Sequence, residues 1–173
     1  MSGFWWLGAV VAAPLVAVAT YWVYAALTHP MINDLVTDPE APLAFRAMPQ
    51  AVPYPGEAFA GRQREAYPEV APLKLAVPPG QVHALALELM RRRGWQLVSV
   101  DEAGFVIEAT AQSLIFRFTD EIALQVTEAD EGSRVDMRSR SRVGRSDLGV
   151  NARRMRTFLD DLEAAAAAGF SGR

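Results

Sequence analysis

Residues 136–156 read DMRSRSRVGRSDLGVNARRMR. Apolar or small residues first alternate with charged ones: Val135, Met137, Ser139, Ser141 and Val143 on one parity, Arg134, Asp136, Arg138, Arg140 and Arg142 on the other. A period of two is that of a strand with one face on a core. Gly144 then breaks the run, and Asp147 or Asn151 can cap a helix in which Met155, Phe158, Leu159 and Leu162 share a face. A last strand feeding a last helix is therefore expected here. The segment is also unusual in charge. Arg134 to Arg156 holds eight arginines against Asp136 and Asp147, a net +6; the chain as a whole is −3, so the remainder carries −9.

Upstream, strands are expected over 71–77, 95–100, 105–110 and 122–127, with Asp101-Glu102-Ala103-Gly104 as a hairpin turn. Between the last two lies Ser113 to Asp120, with Phe116 and Phe118 on one parity. A helix starts at Pro78-Pro79-Gly80. It runs to about Arg93 on the spacing of Val82, Leu85 and Leu89, and Gly94 ends it. The order strand, helix, four strands, helix implies an α+β fold. It is an antiparallel sheet with both helices on one face, the last crossing the sheet in a helix-grip-like layout.

Residues 4–27 contain no charged residue. At the helical rise they reach roughly 36 Å, enough to cross a bilayer core. Phe4, Trp5 and Trp6 at one end, and Tyr21, Trp22 and Tyr24 at the other, match interfacial aromatic belts. Ala17-Val18-Ala19 resembles a signal-peptidase site. However, the run is long and aromatic for a signal peptide, and no Lys or Arg precedes it. The reading is an uncleaved single-pass anchor in the inner membrane, with the C-terminal domain on the periplasmic side. Gly8, Ala9, Ala12, Ala13 and Ala17 form a small-residue stripe on which another helix, from a membrane partner or a second copy, could pack. Ten of the eleven prolines fall between 28 and 79. Hence the expected organisation is 1–27 anchor, 28–69 Pro-rich linker packing on the domain, and 70–173 α+β domain.

The sequence also bounds the chemistry. There is no cysteine, which excludes disulfides and thiol catalysis. His29 and His83 are too few for a histidine metal cage. No Gly-rich phosphate loop or metalloprotease motif is present, so no cofactor is implied. Ser146, Asp147 and His83 could imitate a hydrolase triad, but nothing around Ser146 resembles a nucleophile elbow. Asp120 shares parity with Phe118 and Ile122, so it points inward and needs a cation, for which Arg138 or Arg140 are the candidates. Asp136 and Asp147 are the other candidate structural ion pairs. Arg138, Arg140, Arg142, Arg145, Arg153, Arg154 and Arg156 are the candidate residues for an anion or an acidic partner. Arg153, Arg154 and Arg156 begin a helix at its positive end, against the dipole's preference. The competing account is internal neutralisation of the same arginines. Nucleic acid does not fit a membrane anchor.

Three blocks carry a resemblance: Ala111 to Phe118, Asp120-Glu121-Ile122, and Ser133 to Arg154 with its SRVGRSDLGVN core. With Arg64 to Leu73 (REAYPEVAPL), they resemble the bacterial domain-of-unknown-function family 1499 (DUF1499) in its short, membrane-anchored form, from Ala60 to Leu162. Many members carry a Cys in a Pro-rich stretch near the domain's start; Met48-Pro49-Gln50 stands there instead. The resemblance implies a fold and a membrane address but no reaction. The expected function is a non-enzymatic, membrane-anchored binding domain, accessory to a membrane protein complex. A domain that takes a lipid or other amphiphile under the last helix is the second reading, and an enzyme the third.

Overall fold

The computed structural model describes residues 13–14, 16–21, 23–24, 30–49, 52–112 and 118–170. Six strands form one sheet, all pairings antiparallel: β1 (Asp34–Val36), β2 (Leu73–Leu75), β3 (Gln96–Asp101), β4 (Val106–Gln112), β5 (Thr119–Ala129) and β6 (Gly132–Ser141). The order is β1-β6-β5-β4-β3, and β2 pairs with β6 beyond the end of β1. β6 is thus the strand that joins the two ends of the sequence. Three helices accompany the sheet: α1 (Glu57–Ala66), α2 (Pro79–Arg92) and α3 (Val150–Phe170).

Alternation decides what each face of the sheet meets. Ile107, Ala109, Ile122, Leu124, Val126, Val135 and Met137 point to one side, where they bury against Val82, Ala86 and Met90 of α2 and Met155, Phe158 and Leu162 of α3. The three α3 residues have no solvent exposure. Side chains therefore fill the layer beneath the last helix. α2 begins with Pro79 in its first turn, where a missing N–H costs nothing. It ends at Gly94, whose φ of +70° accommodates the exit.

Two elements form in the Pro-rich stretch: a strand that the sequence did not announce, and a helix where Glu57 to Ala66 suggests a short helical turn. Residues 34–36 add a strand to the sheet, registered so that Asp34 faces Arg140 and Val36 faces Arg138. Residues 57–66, the proline-free window, form a ten-residue helix. Gln63 of that helix is buried and acts as a side-chain strand: Val36 N–H donates to its Oε1 (3.1 Å), and its Nε2 donates to Val36 O (2.6 Å). This covers an edge that would otherwise be open. The segment thus contributes a strand to the domain's sheet. The strand expected over 71–77 shortens to Leu73–Leu75, since Pro72 and Pro78 cannot donate to a ladder.

Residues 13–14, 16–21 and 23–24 are helical and exposed. Among the described residues no helix is long and apolar enough to cross a membrane. Most of the span expected over 4–27 lies outside them, as do Gly8, Ala9 and Ala12 of the small-residue stripe; Ala13 and Ala17 are exposed on the helical part.

Candidate functional site

The charged face of β6 is covered at Arg138 and Arg140. Arg138 is 1 % exposed and Arg140 8 %. The reason is the Pro-rich segment, which folds across this face. Leu43, Phe45 and Met48 bury there with Ala123. Arg138 lies under the segment, its guanidinium 4.6 Å from the Phe45 ring centroid and 5.9 Å from that of Tyr54. Nε donates to Asp34 Oδ1 (2.9 Å) and Nη2 to Asp34 Oδ2 (2.7 Å). Nη1 donates to Leu43 O (3.1 Å) and Nη2 also to Val52 O (3.0 Å). A planar fork suits this work and an ammonium does not. Burial pushes the Asp34 carboxyl up, while the Arg138 fork opposes it.

Next to it, Glu121 stands opposite Arg140 across the β5–β6 ladder and is fully buried. Its Oε2 accepts from both Arg140 Nε (3.1 Å) and Nη2, and its Oε1 accepts from Arg142 Nε (2.9 Å). Glu108 is 1 % exposed and accepts the backbone N–H groups of Arg46 and Ala47 (2.9 Å for Ala47), clamping the covering segment. Further along, Arg134 bonds Asp136 (Nε to Oδ2, 2.7 Å) and Asp38, and Thr37 Oγ1 donates to Asp136 Oδ1 (3.1 Å). The Arg134 hydrogen bond holds the Asp38 carboxyl below its ordinary range.

The opposite face of the same strands carries a second polar group at the start of α3. Asp120 points toward α3 and pairs with Arg154 Nη2 at 2.5 Å. Arg154 Nη1 also reaches Ser139 Oγ (3.1 Å) and Asn151 Oδ1. Asn151 is fully buried; its Oδ1 accepts from Ser139 Oγ (2.7 Å) and its Nδ2 donates to Ser141 Oγ (3.1 Å). The expected partner of Asp120 was Arg138 or Arg140. Those side chains point to the other face of the sheet, so the cation comes from the helix instead.

Several expected roles resolve differently. Asp147 makes no ion pair among the described residues. It caps α3, its Oδ1 accepting Gly149 N–H (3.0 Å) and its Oδ2 Asn151 N–H (2.6 Å). Burial raises its carboxyl, and these two N–H groups oppose the rise. Ser146 Oγ donates to Pro30 O (3.0 Å). His83 lies against Phe105 with the rings tilted at 57°, 5.7 Å between centroids, so Ser146, Asp147 and His83 have separate duties. Arg156 comes within 4.0 Å of Glu69. Arg145 and Arg153 are exposed and make no ion pair among the described residues. Of the candidate arginines, four are thus spent on buried carboxylates. Among the described residues no three His, Cys, Asp or Glu side chains come together as metal ligands.

The architecture, with the SRVGRSDLG turn placed between β6 and α3, can now be compared with known proteins. The family described as protein of unknown function, DUF1499, matches residues 34–162. The chain belongs to the DUF1499 family. The match opens at Asp34, the first residue of β1, earlier than the Ala60 start of the resemblance in sequence. That agrees with β1 and its Asp34–Arg138 pair being part of the DUF1499 fold. No curated protein matches the chain.

Sequence reasoning missed Asp34, Glu108, Ser139 and Asn151 as members of the buried networks. Only Asn151 carried a signal, as a possible cap. Polar clefts open among the described residues. One of about 350 Å³ lies between the covering segment and β6, lined by Asp38, Pro42, Leu43, Arg46, Arg134 and Asp136. Another of about 220 Å³ lies beside Arg93, Trp95, Gln112 and Arg154.

Proposed function

We propose that this DUF1499 protein is a single-pass, membrane-anchored binding domain without catalysis, accessory to a membrane protein complex. The observation that carries this is the exposed apolar helix ahead of β1. Val16, Val18 and Val23 are 54–63 % exposed on a segment without charges. Contiguous apolar surface of this kind needs a non-aqueous cover. A bilayer provides it, with residues 4–27 as the span and the domain on the periplasmic side. Exposed Ala13 and Ala17 continue the small-residue stripe for a partner helix or a second copy.

The engagement of every carboxylate a catalytic reading would use supports a binding role. Asp120, Glu121 and Asp136 are tied to arginines, and Asp147 to a helix start. Structural ion pairs perturb acids without making them catalysts. Extraction in mild detergent followed by cross-linking tests the reading. A discrete larger assembly that depends on the small-residue stripe, lost on Ala13→Leu with Ala17→Leu, is the expected result. A strictly monomeric protein that alkaline carbonate strips from membranes would refute it.

A further inference from the structure

The chain enters the domain at a fixed place. Residues 30–33 lie along the loop that follows β6. Ser141 N–H donates to Asn33 O (2.8 Å), Asn33 Nδ2 to Gly144 O (2.6 Å), and Asp147 N–H to Ile32 O (3.3 Å). Ser146 Oγ completes the clamp on Pro30 O. What surrounds this clamp is distinctive. Met31 is 53 % exposed and Val143 55 %. Phe118, just before β5, is 49 % exposed, and its neighbour Thr119 accepts Arg142 N–H. Exposed Arg145 follows Val143 in the same loop, and exposed Arg153 lies in the first turn of α3, which that loop enters.

The other end of the sheet has the opposite sign. Asp101 and Glu102 of the β3–β4 turn, and Glu128, Asp130 and Glu131 at the β5–β6 turn, are all exposed. β6 spans ten residues, so the two ends are roughly 30 Å apart, several Debye lengths at physiological salt. The acidic end therefore does not repel what the basic end approaches.

We propose that the Met31, Phe118 and Val143 end, with Arg145 and Arg153, rests on the anionic surface of the bilayer, so the sheet stands with its acidic end away from the membrane. This rests on the reading of residues 4–27 as a span. Leu27 to Pro30 is three residues, at most about 11 Å of chain. The headgroup layer is itself roughly 5–8 Å deep on each side of the hydrocarbon. A clamp at Pro30 thus holds Arg145 within side-chain reach of lipid phosphates. The occupant is set by that tether and by charge: apolar tips flanked by guanidinium groups match an interface with anionic headgroups. It also gives Arg153 a reason to sit at the positive end of a helix.

The chain has no cysteine, so a single one can be introduced into the full-length protein. Val143→Cys and, as a control at the far end, Glu131→Cys are labelled with bimane. The protein is reconstituted in phosphatidylcholine vesicles with and without phosphatidylglycerol, and quenched by a headgroup-attached nitroxide. Strong quenching at position 143, little at 131, and a gain on adding phosphatidylglycerol are expected. Arg145→Gln and Arg153→Gln, neither in an ion pair among the described residues, are each expected to shift the docked fraction about fivefold. Equal quenching at the two positions, or indifference to phosphatidylglycerol, overturns the proposal while the anchor stands. Protein that fails to float with the vesicles in alkaline carbonate refutes the anchor reading, and the docking with it.

Discussion

Asp34 and Arg138 meet through two parallel hydrogen bonds, 2.9 and 2.7 Å, that join the first strand to the last across 104 residues of sequence. Both are nearly inaccessible, at 3 % and 1 %. Removing one partner of such a pair leaves a buried charge uncompensated, a loss of about 3–5 kcal/mol, whereas removing both costs less. Asp34→Leu and Arg138→Met are therefore expected to be strongly non-additive. Their coupling should be about 2 kcal/mol or more, measured by a double-mutant cycle on unfolding of the full chain in detergent. The double variant is not expected to be neutral, because Leu43 O and Val52 O lose their donor. Additive losses would show that the pair is not a unit.

The same pair marks where the sequence stops being legible. β6 and α3 could be read from the alternation of Val135, Met137 and Ser139 and from the spacing of Met155, Phe158 and Leu162. These signals are local and periodic. β1 is three residues long, too short for a period of two to register, and its apolar Leu35-Val36 sits among Asn, Asp and Pro. Its pairing with β6 is made by contacts remote in sequence. Reading β6 as half solvated followed from the same omission. Five charges on one parity look like a wet face until Phe45 and Tyr54 are known to lie over Arg138, and Phe45 over Arg140 as well. Inward-pointing Asp120 could be inferred from parity, but its partner could not. Arg154 belongs to a helix whose rotation over the sheet is set by packing.

Arg154 serves two acceptors sets at once, Asp120 through Nη2 and the Ser139–Asn151 pair through Nη1. A lysine ammonium is a single point and cannot hold both positions. Arg154→Lys is expected to cost on the order of 2 kcal/mol despite keeping the charge. It should cost clearly more than Arg156→Lys, since Arg156 is half exposed and 4.0 Å from Glu69. Thermal unfolding of the two variants side by side decides it. Equal shifts would mean that Asn151 and Ser139 satisfy each other without the guanidinium.

Gly132 opens β6 at φ +133°, where side chains are rarely tolerated. A Cβ there would lie 2.2 Å from Leu75 O and 2.7 Å from Val77 N, both backbone atoms of the neighbouring strand and its exit. Neither can give without moving β2 off β6. Gly132→Ala is expected to destabilise by at least about 2 kcal/mol. Amide exchange should rise first at Leu73–Leu75, whose ladder to β6 lies closest. Unchanged protection there would mean that the turn, and not β2, absorbs the methyl group.

His83 gives the fold a dependence on mild acid. It is 5 % exposed and its Nε2 is buried without a partner among the described residues. Burial lowers its pKa from 6.5, and Glu102, the Val106 backbone and Asp101 only partly oppose this. The folded chain therefore holds the imidazole neutral at pH values where the unfolded chain has taken up a proton. The sign follows: the contribution is complete above pH 6.5 and is lost as the pH falls from 6.5 through the lower folded value. The slope is at most about 1.4 kcal/mol per pH unit within that window. Asp38, held low by Arg134, adds loss in the same direction, but only below its unfolded value of 3.8. The two are separable by pH. Unfolding of the wild type and of His83→Gln, followed from pH 7.5 to 4.5, is expected to diverge: the wild type loses stability below 6.5 and the variant stays flat until carboxylates begin to titrate. Parallel curves for the two proteins would show that His83 is protonated as readily folded as unfolded, and that water reaches Nε2.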